Sequence, residues 1–293
     1  MSGKQFEGVL LRGVGGIYTV DLGGTELRCR AGGRLRLGEA VPSAGDRVLV
    51  ERTGGTGYIV ALLERRNALE RPAVANLDRL CIFVSEAPPV TDPLTADKLT
   101  VAALAQGIEP VVLIAKADLS RSEALYATYR GAGFRTLRVS AVSGEGTEEL
   151  RALLRTGITA FAGNSGAGKS SLLNRLDPRL ALRVGDMSRI ERGRHTTRSA
   201  SLLRLPDGGY AVDTPGFSVF DAFRDTRVEK EQLQHLFPEM AALFGACRFS
   251  DCLHRAEPDC AVRAAVERGG IARSRYESYL AMLAEIEARP AWQ

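Results

Sequence analysis

Gly163-Asn164-Ser165-Gly166-Ala167-Gly168-Lys169-Ser170 lies downstream of Lys116-Ala117-Asp118, with 45 positions from Asp118 to Gly163. The first string has the form GxxxxGK[ST]. Its glycines let the backbone turn N–H groups inward around phosphate, its lysine reaches the terminal phosphates, and the hydroxyl of Ser170 ligates magnesium. An apolar run at 158–162 leads into it as a strand, and a helix beginning at Ser171 leads out, with its N-terminus facing the phosphates. The second string ends the apolar run at 111–115. There the Asp118 carboxylate is suited to accept from the N1–H and exocyclic amine of guanine, while adenine offers no N1–H. In ordinary chain order the base reader follows the phosphate loop, and here it precedes it. Either one string is accidental or the domain is circularly permuted.

Three more strings decide between these. Asp213-Thr214-Pro215-Gly216 ends a strand-like stretch, where the carboxylate of Asp213 would hold magnesium through water and the Gly216 N–H would sense a γ-phosphate. Thr196 and Thr197 fall between the phosphate loop and Asp213, where a threonine should reach magnesium, and Thr197 is assigned to it. Ser140-Ala141 follows Asp118 by about one strand–helix unit and can offer a backbone N–H to the base carbonyl. All sit at the carboxyl ends of strands, where open α/β sheets bind ligands. Taken alone, Lys116 and Asp118 would read as a surface pair in a turn; five strings in one cyclic order make permutation the better reading.

The chain of 293 residues has room for two or three domains, and its 45% apolar and 25% charged composition supports an ordinary core. No apolar stretch approaches the ~18 residues that span a bilayer, and Met1–Glu7 lacks a secretory run, so a cytoplasmic protein without a membrane partner is expected. The net charge of +4 alone assigns no partner. Its distribution says more: eight arginines lie from Arg175 to Arg204 against Asp177, Asp186 and Glu191. Either this is a solvated surface, or its guanidinium forks seek phosphate.

Three segments are expected. Residues 1–67 carry five short β-like runs separated by glycine pairs, the pattern of an OB-type barrel, weakly basic and compatible with RNA. From 68 to 228 strands and helices alternate, predicting a mainly parallel α/β sheet. Within it, 80–84 is a buried strand, Asp92-Pro93 opens a helix that Gly107 closes, and a hairpin turns around Pro206-Asp207-Gly208-Gly209. From 229 to 293 the pattern is helical. The three modules need no second copy to bury their cores, so a monomer is expected.

Five cysteines in such a chain argue against a disulfide framework. Cys29 and Cys81 sit in strand-like surroundings as core residues. Cys247, Cys252, His254 and Cys260 offer three thiolates and one imidazole, the ligand set of a closed, structural zinc site. The spacing is not that of the common CxxC fingers, and buried free thiols beside a surface histidine are the alternative.

The order of the strings, with Gly193-Arg194-His195-Thr196-Thr197, Asp213–Phe217 and the cysteine cluster with its flanks, resembles the RsgA (YjeQ/YloQ) family of circularly permuted GTPases over essentially the whole chain. The resemblance implies an N-terminal OB barrel, a permuted phosphate-loop GTPase core and a C-terminal helical module holding one zinc. It also implies GTP hydrolysis to GDP, with magnesium, stimulated by the small ribosomal subunit and its rRNA during late maturation. Nucleotide contacts are then expected from Lys116, Asp118, Ser140, Ala141, each residue from Gly163 to Ser171, Asp213 and Gly216.

Two departures matter. Ala115 stands where many GTPases carry asparagine, which should weaken guanine affinity without abolishing the preference. Phe217 follows the Gly216 position where many carry a water-orienting glutamine, so slow unaided hydrolysis is expected. His195 is the candidate to orient water in its place, an imidazole being suited to chemistry near pH 7; its other reading is a residue that only contacts RNA or orders the loop. The competing function is an RNA-binding assembly chaperone that senses GTP with little turnover.

Overall fold

The structure is a computed structural model and describes residues 4–32, 41–70, 73–179, 200–213, 223 and 226–289. The first strands are β1 (Gln5–Val14), β2 (Ile17–Asp21), β3 (Glu26–Ala31), β4 (Arg47–Thr53) and β5 (Thr56–Leu62). They close into a barrel in the order β1-β2-β3-β5-β4. Closure comes from the parallel pairing of β3 with β5, Cys29 opposite Gly57, and the antiparallel return of β4 onto β1. Alternation decides which face turns in. Along β3, Leu27 and Cys29 are buried between exposed Glu26, Arg28 and Arg30. With Leu10, Val20, Val48, Val50 and Ile59 they form the barrel core. The expected five-stranded barrel is therefore present.

A small hairpin, β6 (Ala68–Glu70) with β7 (Ala73–Ala75), follows. Then come β8 (Arg79–Val84), α1 (Pro93–Ala105), β9 (Glu109–Ala115), α2 (Glu123–Gly131), β10 (Arg135–Val139), α3 (Thr147–Leu153), β11 (Ile158–Gly163), α4 (Lys169–Leu176), β12 (Ser201–Arg204) and β13 (Tyr210–Asp213). Six of these strands form a sheet in the order β10-β9-β8-β11-β13-β12. β10 and β9 run parallel, as do β11 and β13, and β12 returns antiparallel on β13. The continuous apolar runs behave as buried strands must: Val111, Val112, Leu113 and Ile114 of β9 have no exposed surface. Helix α1 starts where its capping residues say, Asp92 accepting from the Thr95 N–H at 3.1 Å ahead of Pro93.

The C-terminal part contains α5 (Lys230–Leu233), a 3-10 turn (Gln234–Leu236), α6 (Pro238–Ala241), α7 (Ala261–Glu267) and α8 (Arg273–Glu287). Tyr279, Met282, Leu283 and Ile286 of α8 pack with Phe237, Val262 and Val101 of α1 in one apolar cluster. Each such fully buried side chain contributes roughly 1.5–3 kcal/mol.

The chain divides into two compact units. One comprises Met1–Arg79, Arg151–Ala160 and Leu173–Phe217; the other comprises Leu80–Leu150, Phe161–Leu172 and Ser218–Gln293. No helix among the described residues is long and apolar enough to cross a membrane.

Candidate functional site

The phosphate loop begins where β11 ends. Gly163 has φ +142°, and a Cβ there would stand 2.8 Å from the carbonyl oxygen of Phe83 on β8, so only glycine lets the loop leave the strand this closely. At Gly166 (φ +77°) a Cβ would crowd Pro89 at 3.0 Å. Ala167 is fully buried and donates its N–H to Asn164 O at 3.2 Å, which folds the loop back toward α4. Lys169, the first residue of α4, reaches back over the loop and donates to Gly163 O at 2.5 Å and Asn164 O at 2.7 Å. Burial lowers the pKa of its ammonium from the ordinary lysine value. Ser165, Gly166, Ser170 and Ser171 face solvent around the rim.

The residues expected to read the base meet at the ends of β9 and β10. Lys116 leaves β9 in a left-handed conformation, φ 58°, and Ala117 donates to Val139 O at 3.2 Å. Asp118 Oδ1 accepts from Ser140 Oγ at 2.5 Å. Ser140 Oγ itself accepts from the N–H groups of Val142 at 3.1 Å and Ser143 at 3.0 Å. With both backbone donors aimed at its oxygen, the single hydroxyl hydrogen is left for the carboxylate. Asp118 and Ser140, 22 residues apart in sequence, are thus one unit. Ala141 sits in the same turn.

A loop that sequence reasoning did not single out joins the two halves. Residues 85–91 are closed by Thr91, whose Oγ1 accepts from the Ser85 N–H at 3.0 Å while its own N–H donates to Ser85 O at 2.8 Å. Pro88 O accepts from Lys116 Nζ at 2.5 Å, and Pro89 packs on Gly166. The Lys116 stem runs past Gly168, its Cγ 3.9 Å from the Cβ position of that glycine. Lys116 is therefore laid against the loop that carries Gly166 and Gly168, with the proline loop supporting both. The consecutive prolines were the only signal of this in the sequence.

Asp213 ends β13 in register with Ser201. His195, Thr196, Thr197, Gly216 and Phe217 lie outside the described residues.

The second site is the cysteine cluster. The ligand atoms of Cys247, Cys252, His254 and Cys260 lie within 4.8 Å of one another. His254 Nδ1 stands 3.6 Å from Cys247 Sγ and 3.4 Å from the Sγ atoms of Cys252 and Cys260, and the Cys247 and Cys260 sulfurs are 3.9 Å apart. Around a tetrahedral ion with bonds of ~2.3 Å to sulfur and ~2.0–2.1 Å to nitrogen, ligand atoms stand about 3.8 Å (S to S) and about 3.6 Å (S to N) apart. The four side chains fit a bound metal ion, and free thiols beside a surface histidine do not describe them: His254 is 4% exposed.

Supporting contacts aim the ligands. His254 Nε2 lies 2.9 Å from Gln234 Oε1, an acceptor that places the ring hydrogen on Nε2 and leaves the Nδ1 lone pair toward the sulfurs. The Glu257 carboxylate accepts from the N–H groups of Leu253 at 2.9 Å, Arg255 at 2.6 Å and Ala256 at 3.0 Å, shaping the loop between the second and fourth ligands. Tyr276 and Tyr279 donate to His254 O and Leu253 O at 2.6 and 3.1 Å. Burial pushes the Cys252 thiol up to about 12, raises that of Cys260 and lowers the His254 imidazole. A cation among the sulfurs reverses the first two by stabilising thiolate. The role of Gln234 left no trace in the sequence, because it lies 20 positions from the histidine it supports.

Known proteins resemble this chain over nearly its whole length. The RsgA GTPase family matches residues 62–223, and the RsgA N-terminal domain matches residues 7–59. A Moorella thermoacetica protein named small ribosomal subunit biogenesis GTPase RsgA is 49% identical over 287 residues, covering 97% of this chain and 98% of that one. A protein of the same name from Caldanaerobacter subterraneus is 41% identical, covering 98% and 97%. The crystal structure of YjeQ from Thermotoga maritima superposes with a TM-score of 0.83 at 36% identity, covering 98% of this chain and all of that one. That of YloQ, described as a circularly permuted GTPase, superposes at 0.82 with 30% identity, covering 99% and 98%.

Proposed function

The chain belongs to the RsgA family of GTPases, and on that premise we propose that it hydrolyses GTP to GDP and phosphate on the small ribosomal subunit, during late maturation of that subunit. The observation that carries the guanine assignment is the Asp118–Ser140 pair, beside a Lys116 laid on the phosphate loop. Asp118 selects guanine, with a backbone N–H at Ser140-Ala141 on the base carbonyl. Gly163 to Ser171 wrap the phosphates, and Lys169 moves from the loop carbonyls to the terminal phosphates. Ser170 and Thr197, with Asp213 acting through water, would hold magnesium, which would supply charge neutralisation at the phosphates. The Gly216 N–H reads the γ-phosphate.

Hydrolysis needs a water placed in line with the leaving GDP oxygen. Phe217 cannot orient it by hydrogen bonding, and His195 is assigned that role. Docking of rRNA on the arginine-rich stretch from Arg175 to Arg204 would place His195, which accounts for stimulation by the subunit. The C-terminal cluster holds one structural zinc: three sulfurs and one nitrogen gathered within 4.8 Å favour it, and four protein ligands leave no position for a reacting water. The working organisation is a barrel over 1–67, a permuted GTPase core over 68–228 and a zinc module over 229–293, acting as a cytoplasmic monomer with barrel and zinc module on RNA. The family membership favours this enzyme over a chaperone that only senses GTP.

The test is GTP turnover by the purified protein with and without small ribosomal subunits. A large rise specific to the small subunit is expected. No rise, with GTP still bound, would overturn the reading.

A further inference from the structure

Asp21 is a buried barrel carboxylate that does not serve the barrel alone. Asp21, the last residue of β2, is 2% exposed. Its Oδ1 accepts from the Gly24 N–H at 2.6 Å and closes the β2–β3 turn. Its Oδ2 accepts from the hydroxyl of Tyr210 at 2.7 Å, with Arg204 Nε at 3.5 Å. Arg204 ends β12 and Tyr210 begins β13, and the two are direct partners in the ladder. One barrel carboxylate therefore grips the closed end of the β12–β13 hairpin on both strands at once.

That grip is specific in shape and charge. A Cβ on Gly24 would fall 2.3 Å from Arg204 Nη1, so the guanidinium lies close against the bare face of that glycine. Burial, and then the neighbouring Asp21 carboxylate, raise the Tyr210 pKa, so its hydroxyl keeps its proton and donates. Burying a carboxylate is costly unless its acceptors are filled, and here two donors from the hairpin help to fill them.

The gripped strand leads to the chemistry. β13 runs from Tyr210 to Asp213, three residue steps or about 10 Å at the rise of a β-strand. Its other neighbour is β11, with Ile158 opposite Tyr210 and Thr159 opposite Ala211, and β11 continues along the chain into the phosphate loop. Moving Tyr210 moves the strand that delivers Asp213.

We propose that Asp21 is a positioning residue for GTP hydrolysis: through Tyr210 and Arg204 it transmits the position of the barrel to the strand that carries Asp213. The proposal rests on the family reading of a subunit-stimulated GTPase and deepens it, by making the barrel a lever on the hydrolytic site as well as an anchor. Tyr210 and Asp21 touch no nucleotide; they set where β13 sits when the barrel is held by the subunit.

The experiment compares the full-length protein with Tyr210→Phe, which keeps the ring and removes only the hydroxyl, and with Asp21→Asn. GTP affinity, subunit affinity and the unstimulated rate should stay within about twofold of wild type. At saturating small subunits kcat should fall about tenfold, the scale of one hydrogen bond to a charged group. The double variant should lose no more than the worse single, because both break one link. A Tyr210→Phe protein stimulated as strongly as wild type overturns the proposal. So does weakened subunit binding with kcat at saturation unchanged, which would make the contact a docking feature only. A wild-type protein that the subunit fails to stimulate overturns the family reading first and this coupling with it, an outcome distinguishable because it appears before any variant is made.

Discussion

Arg275 on α8 donates from Nη1 to Asp97 Oδ1 on α1 at 2.6 Å, and both side chains are 1% exposed. The same guanidinium donates from Nε to Glu239 Oε1 at 2.7 Å, and it lies over the ring of Phe237 at 4.5 Å. Tyr129 of α2 donates to the same Asp97 oxygen at 3.0 Å. Helices of the nucleotide-binding core and of the C-terminal part are thus joined through one buried charge. Lys98 and Glu285 form a further ion pair between α1 and α8.

Removing Arg275 leaves Asp97 and Glu239 buried without their cation. Arg275→Met should cost about 3–5 kcal/mol of stability, measured by urea unfolding near neutral pH. The loss should shrink as the pH is lowered. Burial already raises the Asp97 pKa against the opposing pull of Arg275, and without that pull it rises further. A carboxyl whose folded-state pKa exceeds its unfolded value binds protons more tightly when folded, so acid favours the folded variant. A pH-independent loss would contradict this account.

Metal analysis should find one zinc per chain. Gln234→Ala keeps all four ligands and frees the His254 ring, so metal affinity should fall about 10–100-fold in a chelator competition. Affinity should also rise with pH, because the raised Cys252 and Cys260 thiols release protons on binding. Unchanged affinity in Gln234→Ala would mean that the Nε2 contact does not aim the ring.

Asp118→Asn replaces an acceptor with a donor at the guanine edge. Preference should shift from GTP to xanthosine triphosphate, read by competition binding. Ser140→Ala removes the donor that orients Asp118 and should weaken GTP binding by about tenfold, the scale of a charge-assisted hydrogen bond. Retained GTP preference in Asp118→Asn would remove Asp118 from the base-reading role.

His195→Ala should abolish stimulation by the small subunit while GTP affinity stays within about twofold, since the imidazole is assigned to the water and not to ground-state binding. Stimulation equal to wild type would assign the water to another group.

Much of this protein is legible in its residues because its chemistry is local. A phosphate loop works through consecutive backbone N–H groups, so Gly163 to Ser170 announces itself in one string, and the position of Asp118 before it announces the permutation. Strands of the barrel and sheet are legible for a similar reason: alternation at Leu27 and Cys29, and the unbroken run at Leu80–Val84, each follow from which faces are buried. The four candidate metal ligands stand close enough in the chain for their residue types to be recognised, although their spacing alone left a second reading open.

What the tertiary structure decided are the pairings across long stretches of chain. Arg275 and Asp97 are separated by 178 positions and Tyr210 and Asp21 by 189, and the chain contains many arginines and carboxylates that look no different. Only burial distinguishes them. A charge removed from water must find its counterpart among whatever the fold brings near, and that neighbourhood is set by packing of whole helices and strands. The pattern within any one of them does not contain it.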